Sequence, residues 1–308
     1  MANNNKKTEE VTQEQNDDLA PNFDDIFEER KVEPPIYSAV FHIGDIGQAG
    51  KSMDCKGLKE VLMRLGVSHD TYVADGDHMQ NLETYGLRDA SGELVAHDKL
   101  DPTFRFTRDS NGRIDKIENY GCGFFNIRKA KQELVNTLQS PSKFKFYDMP
   151  ASSMDELYDV FGDMYSFLNA FVNARTKLIF VVPVFDADKS VKQGIGKLQD
   201  MLCDVHPDAV IEFAFLFKNG LMLENQISGV QQEYKRNASV KKLKDRYRVT
   251  EVTIAPSFSS ILKNRLPTAK LFDLFYTRDE AQRLPFFEQE KLEQILNTYK
   301  EATKKILF

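Results

Sequence analysis

The chain has 308 residues, of which 41% are hydrophobic and 29% are charged, and its formal net charge is −6. This length and composition suit one large α/β domain or two small ones with a full core. The three cysteines, Cys55, Cys122 and Cys203, show no Cys-x-x-Cys spacing, so we expect reduced thiols and a cytoplasmic location rather than disulfides or a zinc site. No apolar run approaches about eighteen residues and the N-terminus is acidic, so we expect neither a membrane span nor a signal peptide.

The N-terminal segment carries the charge imbalance of the chain. Residues 1–34 contain ten acidic and four basic residues, and their balance of −6 equals the net charge of the whole chain. A segment this acidic and this poor in aliphatic side chains cannot offset its ordering entropy. We predict a disordered acidic tail over 1–34, which either solubilises the protein or docks a protein partner through a short helix around Phe23–Phe27. Residues 35–308 are predicted to form a single domain.

An apolar strand that begins at Tyr37 runs into a turn ending in Gly50-Lys51-Ser52. Such a turn can surround a phosphate with backbone N–H groups, while the lysine contacts the β- and γ-oxygens and the serine hydroxyl ligates Mg²⁺. The pattern Gly-x-x-x-x-Gly-Lys-Ser/Thr is broken at its first position, where Asp45 stands, and Gly44 lies one residue too early. Taken alone, the turn fits both a phosphate-binding loop and a chance match.

The next elements are a helix and a short strand. Apolar residues at helical spacing predict a helix over Met53–Leu65, which Gly66 ends. A strand over Thr71–Ala74 then brings Asp75 and Asp77 to its carboxyl end, where ligands bind in open α/β sheets. Aspartates are also common in plain turns, so a purely structural role is an alternative.

The middle of the chain combines turns, a helix and a strand. Turn signals between short apolar segments predict a small β-hairpin insertion near residues 84–123. A helix over Phe125–Leu138 and a strand over Lys143–Tyr147 follow. The strand ends at Asp148, which is either a site residue at a strand end or the N-cap of the next helix.

The second half alternates helices and strands. The predicted helices are Met154–Asn173, Val191–Val205 and Phe287–Phe308, and the predicted strands are Lys177–Val184, Ala209–Phe217 and Val249–Ile254. Strands separated by crossover helices predict an α/β fold with a doubly wound, mostly parallel sheet flanked by helices.

Four segments resemble, in the right order, motifs of the deviant-Walker P-loop ATPases of the ParA/MinD group, and in particular its plasmid-borne StbB/TraL-like branch. The segments are Ile46–Ser52, Asp75–Asn81, Phe144–Ala151 and Phe213–Asn219, within a resemblance that extends over residues 37–265. The resemblance implies a P-loop NTPase-like fold that binds ATP and Mg²⁺ and forms a homodimer. It also implies a nucleotide-dependent switch, reset by slow hydrolysis, in plasmid partition, plasmid stability or conjugative DNA transfer.

The resemblance implies a role for each matching residue. The phosphate-binding residues would be Gly47, Gln48, Ala49, Gly50, Lys51 and Ser52. Lys51 would neutralise the γ-phosphoryl group and Asp77 would orient the attacking water. Mg²⁺ would be held by Ser52, Asp75 and Asp148. Asn219 would read the adenine edge with its amide, although Asn219-Gly220 is also a common turn dipeptide.

Two positions depart from the family pattern. The signature lysine of the family falls on Ile46, and the first loop glycine falls on Asp45, whose negative charge would lie close to the phosphates. The alternative function is therefore a degenerate pseudo-ATPase of the same fold that acts as an adaptor protein.

Two further segments allow more than one interpretation. Residues 234–248 contain seven basic residues against one acidic residue, which predicts either a solvated helix face or non-specific binding of DNA phosphates. The apolar C-terminal helix is comparable to the membrane-targeting helix of MinD relatives. The acidic residues that precede it favour docking on the core, so we expect no membrane binding.

Overall fold

The computed structural model describes residues 33–44, 47, 49–74, 80–86, 88–93, 107–108, 114–116, 122–127, 131–151, 153–255, 260–266, 269–277 and 283–308. The predicted acidic tail and its short helix around Phe23–Phe27 lie outside this part of the chain, apart from residues 33 and 34.

The described chain contains nine strands. They are β1 (Tyr37–His42), β2 (His69–Val73), β3 (Thr107–Arg108), β4 (Ile114–Lys116), β5 (Gly123–Phe124), β6 (Phe144–Asp148), β7 (Thr176–Val184), β8 (Ile211–Lys218) and β9 (Arg248–Ile254). Seven of them form one sheet in the order β5-β2-β6-β1-β7-β8-β9, and every neighbouring pair is parallel. This arrangement confirms the predicted doubly wound parallel sheet.

Helices cover both faces of the sheet. They are α1 (Lys51–Leu65), α2 (Gln80–Tyr85), α3 (Lys131–Leu138), α4 (Ser153–Phe161), α5 (Met164–Asn173), α6 (Gly196–Met201), α7 (Glu224–Arg236), α8 (Ala238–Arg246), α9 (Ser260–Arg265), α10 (Leu271–Tyr276) and α11 (Phe286–Leu307). A π-helix spans Ala187–Ile195, and a 3₁₀ turn spans Asn219–Leu221. The core on one face joins the sheet to α1, α9, α10 and α11, and the core on the other face joins it to α3 to α8.

The central strands are buried on both sides, which explains their apolar composition. In β1, Val40 contributes to the core beneath α1 and α11, while the adjacent Phe41 contributes to the opposite core. Both side chains have 0% exposure. Because successive strand residues point to opposite faces, a strand covered on both faces must be apolar throughout.

Three predicted helices differ from the observed ones. The helix predicted over Met154–Asn173 is two helices, because Gly162 adopts a left-handed φ of 78° and Asp163 caps the second helix by accepting a hydrogen bond from the Ser166 N–H at 2.5 Å. The break separates α4 from α5, so the chain makes two short helices rather than one long one.

The helix predicted over Phe125–Leu138 begins later, at Lys131. The backbone N–H of Phe125 donates to the Val73 carbonyl at 3.1 Å, which extends the pairing of β5 with β2 beyond the strand. The segment predicted as a helix over Val191–Val205 begins earlier and contains a π-helix, because the Asp186 carboxylate accepts hydrogen bonds from the N–H groups of Asp188 and Lys189.

The remaining segments complete the fold. Near residues 84–123, β3 and β4 pair antiparallel as a separate two-stranded sheet, whereas β5 joins the main sheet. Helix α11 buries one side against α1 and β9, as expected for a helix docked on the core. Within the described ranges, no helix has both the length and the apolar character needed to cross a membrane.

Candidate functional site

The turn between β1 and α1 presents the start of a long helix at the carboxyl edge of the sheet. Gly50, the N-cap of α1, has a φ of 81°, a left-handed conformation that favours glycine. Because glycine has no side chain to cap the first N–H groups, this helix start is suited to an anion. Lys51 is the first helical residue, is 8% exposed, and donates from Nζ to the Gly44 carbonyl at 3.3 Å.

The predicted serine and the predicted strand-end aspartate meet at this helix start. Strand β6 lies between β1 and β2, and its register places Asp148 level with His42 and Val73. The Ser52 hydroxyl donates to Asp148 Oδ1 at 3.1 Å, although the two residues are 96 positions apart in the sequence. Asp148 is 2% exposed and Ser52 is partly exposed, so the carboxylate is buried while the hydroxyl lies closer to solvent.

Asn81 is a site residue to which the sequence analysis gave no role. It is the second residue of α2, has 0% exposure, and donates from Nδ2 to Asp148 Oδ2 at 2.7 Å and to the Ser52 carbonyl at 3.1 Å. Its position in the segment Asp75–Asn81, which resembles a family motif, was the available signal. Asn81 therefore fixes the orientation of the Asp148 carboxylate relative to the loop.

The end of β8 approaches the same loop from the other side. Lys218, the last residue of the strand, contacts Asp54 Oδ1 in the first turn of α1, and Asn219 follows in the 3₁₀ turn. Asn219 is partly buried, and its Oδ1 has no hydrogen-bond partner among the described residues. An amide in this state can still pair with the edge of a bound ligand.

Burial controls the ionisation of two groups beside the loop. Burial lowers the pKa of His42 to about 3, opposed by the nearby Tyr147 backbone and reinforced by the charge of Lys218. The imidazole is therefore neutral at physiological pH. Burial also raises the pKa of the Asp54 carboxyl, while Lys218 and the Tyr299 hydroxyl act in the opposite direction.

The structure thus brings part of the predicted site together. Lys51, Ser52 and Asp148 lie at one helix start, Asn219 lies at the end of β8, and the phosphate-loop residues Gly47, Ala49 and Gly50 lie in the turn between β1 and α1. Gln48, Asp75 and Asp77 fall outside the described residues, as do Asp45 and Ile46, the two positions that depart from the family pattern.

The residues present fit Mg²⁺ in their chemistry. Mg²⁺ prefers oxygen ligands, keeps several waters, and is commonly held by one or two carboxylates together with phosphate oxygens. Ser52 and Asp148 provide adjacent oxygens, and Asn81 adds a buried Oδ1 without a partner in the described part of the chain. Those described residues contain no group of three or more His, Cys, Asp and Glu side chains that could hold a metal.

A small apolar cavity lies beside the loop and does not hold a ligand of nucleotide size. It measures about 20 Å³ and is bordered by Gly44, Ala49, Pro183 and Phe185. Ligand pockets for small molecules usually measure about 300 to 1,000 Å³.

Comparison with known proteins gives matches among solved structures only. No family model and no curated protein matches the chain. MinD cell division protein from Aquifex aeolicus matches 87% of this chain and 97% of its own, with 13% identity and a TM-score of 0.42. The ATP complex of a Cyanothece McdA variant matches 88% of this chain and 97% of its own, with 13% identity and a TM-score of 0.44. MinD with Mg-ADP from Pyrococcus horikoshii matches 84% of this chain and 94% of its own, with 11% identity and a TM-score of 0.43. Similarity at this level does not assign an activity.

Proposed function

We propose that this protein binds ATP with Mg²⁺ at the carboxyl ends of β1 and β6 and works as a nucleotide-dependent switch. The observation that carries the proposal is the contact of Ser52 with Asp148 at the uncapped start of α1. This contact places a hydroxyl and a carboxylate beside a helix start that favours anions, which is the combination that a metal-bound triphosphate requires.

Each residue has a distinct part in this proposal. Lys51 would exchange the Gly44 carbonyl for the β- and γ-oxygens, and the turn from Gly47 to Gly50 would surround them with N–H groups. Ser52 and Asp148 would hold Mg²⁺ with Asp75, and the metal would neutralise charge on the transferred phosphoryl group. Asp77 would orient the attacking water.

At the other end of the nucleotide, Asn219 would pair with the adenine edge through its amide. Its Oδ1 is buried and has no partner among the described residues, and the adenine amino group would supply the donor that this atom lacks. The assignment depends on Asn219 and the loop lying at the same edge of the sheet, since the carboxyl ends of parallel strands share that edge.

The experiment is a titration of the full chain with a fluorescent ATP analogue, with Mg²⁺ and with excess chelator. Lys51→Ala is expected to weaken binding about tenfold or more, because a hydrogen bond to a charged group contributes about 1.5 to 3 kcal/mol. Lys304→Ala, an exposed residue on α11, is the control and should bind like the wild type. Absence of saturable, Mg²⁺-dependent binding by the wild type would refute the proposal.

A measurement of phosphate release then distinguishes an ATPase switch from a pseudo-ATPase adaptor. Slow release supports an ATPase that resets a homodimer, whereas tight binding without turnover indicates the pseudo-ATPase that we expect if Asp45 and Ile46 impair the loop. The DNA-related roles in plasmid partition and conjugative transfer belong to this proposal and rest on the resemblance of the motifs.

DNA is the partner that the charged surface favours. All seven basic residues of 234–248 are exposed on α7, α8 and the start of β9. Lys244 and Arg248 pair with Glu251 and Glu212, which leaves the other five without an ion pair to a described residue. Duplex DNA should therefore bind the full chain at low salt, and the binding should disappear at high salt. A protein partner would bind the acidic tail instead.

A further inference from the structure

Lys218 and Asp54 form a buried ion pair that has no part in the roles proposed above. Their side chains are 8% and 1% exposed, and they are 164 residues apart in the sequence. Asp54 Oδ1 also accepts a hydrogen bond from the Tyr299 hydroxyl at 2.8 Å. The pair therefore joins the end of β8 to the first turn of α1, and Tyr299 extends the connection to α11.

The ammonium of Lys218 also lies against the loop. A β-carbon placed on Gly50 would be 3.3 Å from both Cε and Nζ of Lys218. Gly50 is the last loop residue and the N-cap of α1. Lys218 thus lies beside Gly50, at the point where the proposed phosphate loop becomes a helix.

This contact crosses a gap that the sheet itself does not close. Strand β7 lies between β1 and β8, so the strand that precedes the loop and the strand that precedes Asn219 are separated by about 10 Å. The lysine side chain is long enough to reach from the end of β8 to α1. It therefore connects the proposed phosphate-binding half of the site to the proposed base-reading half.

An ion pair as deeply buried as this one adds little to the stability of the folded protein. Removing two charges from water costs several kcal/mol per ion, and apolar residues of similar volume often stabilise as well or better. A specific geometric role accounts for the pair more economically, because it fixes Asn219 relative to Gly50.

We propose that Lys218 is a positioning residue for nucleotide, which holds the base-reading end of β8 at a set distance from the phosphate loop. The inference rests on the proposed function, since it needs one ligand that spans both halves. ATP gains more affinity from binding both halves at once when their separation is fixed before binding, because no ordering cost is then incurred on binding. Phosphate alone or nucleoside alone has no such requirement.

The experiment compares the affinity of the full chain for ATP with its affinities for tripolyphosphate and for adenosine. The main variant is the pair Asp54→Asn with Lys218→Met, which removes both charges so that neither is left buried and unpaired. Tyr299→Phe is the control, because it removes the other hydrogen bond of Asp54 and leaves Lys218 in place. Calorimetry measures the affinity for ATP, and ligand-observed NMR measures the affinities for tripolyphosphate and adenosine.

The double variant is expected to bind ATP about tenfold more weakly, while its affinities for tripolyphosphate and adenosine change by less than about twofold. Tyr299→Phe should retain wild-type ATP affinity within about twofold. If the double variant does not fold, Lys218→Arg serves instead, since it keeps the charge and changes the geometry of the contact with Asp54. Lys218→Arg should weaken ATP binding several-fold and leave the affinities for tripolyphosphate and adenosine unchanged.

Two results would overturn the inference while leaving the proposed function intact. Unchanged ATP affinity in a folded variant would make the pair purely structural. An equal loss for tripolyphosphate and ATP would mean that Lys218 binds phosphate directly. A wild-type protein that binds no ATP would instead refute the proposed function, and this inference with it.

Discussion

At the scale of single residues, Asn81 shows how one buried amide can organise a site. Its Nδ2 group reaches both Asp148 and the backbone of Ser52, so it fixes the carboxylate and the loop relative to each other. The sequence indicated Ser52 and Asp148 through their motifs, and it placed Asn81 in a motif-like segment without indicating that its amide would lie between them.

Under the proposed function, Asn81→Ala should weaken Mg²⁺-dependent ATP binding. The variant removes a 2.7 Å hydrogen bond to a carboxylate, and bonds to charged groups contribute about 1.5 to 3 kcal/mol. We expect the Mg²⁺ concentration that gives half-maximal ATP binding to rise about tenfold, measured by titration at fixed ATP. Gln80→Ala, the exposed neighbour on α2, is the control, and an unchanged Mg²⁺ requirement in Asn81→Ala would contradict the assignment.

At the scale of elements, the contact of α1 with α11 depends on a glycine. A β-carbon on Gly57 would lie 2.5 Å from ring atoms of Tyr299, and that ring is 1% exposed. The ring cannot move aside, because its hydroxyl is bonded to Asp54 and its surroundings are close-packed. The helices can approach this closely only where one of them has no side chain.

Gly57→Ala should therefore destabilise the protein although alanine is the better helix former. We expect a loss of about 1 to 3 kcal/mol in the free energy of unfolding, as found when close-packed cores are overfilled. Gly229→Ala in α7 is the matched control, since nothing lies within 4 Å of its added methyl group. That control should gain up to about 1 kcal/mol from helix propensity. Urea unfolding measures the change in unfolding free energy for each variant. Equal changes in Gly57→Ala and Gly229→Ala would disprove the packing argument.

The helix breaks belong to the same scale. Periodicity predicted one helix over Met154–Asn173, but the left-handed backbone at Gly162 and the capping carboxylate of Asp163 divide it. Both signals are present in the sequence. Apolar spacing continued across the break and outweighed them, because the same core receives both helices.

At the scale of the whole molecule, the neutral His42 couples folding to pH. Its pKa of about 3 in the folded protein lies below the ordinary histidine value of 6.5, so the unfolded chain takes up the proton first as the pH falls. The stability that this group contributes is complete above pH 6.5 and is lost progressively toward pH 3.

His42→Gln should make the unfolding free energy less sensitive to acid. Between about pH 7 and pH 5 the wild type is expected to lose about 2 kcal/mol more than the variant, at about 1.4 kcal/mol per unit below the unfolded pKa. Urea unfolding at both pH values gives the difference, and the titration of all other groups cancels in the comparison. His206→Gln keeps His42 and should keep the wild-type dependence. Parallel pH profiles for His42→Gln and the wild type would rule out the effect.

The sequence by itself determined the α/β alternation, the parallel sheet and the limits of most strands to within a few residues. These features depend on local periodicity, on glycine at turns and on apolar runs in strands buried on both faces, all of which can be read in short windows. The sequence also indicated Lys51 and Ser52 as candidates through the Gly-Lys-Ser turn, and Asp148 through its place at a strand end and the resemblance of its segment to a family motif.

Only the tertiary structure decided which distant groups meet. Ser52 reaches Asp148 across 96 positions, and Lys218 reaches Asp54 across 164. These contacts follow from strand order and register, which place β6 beside β1 and set β8 one strand further away on the other side. Strand order results from the packing of the whole core, so no short segment of sequence contains it.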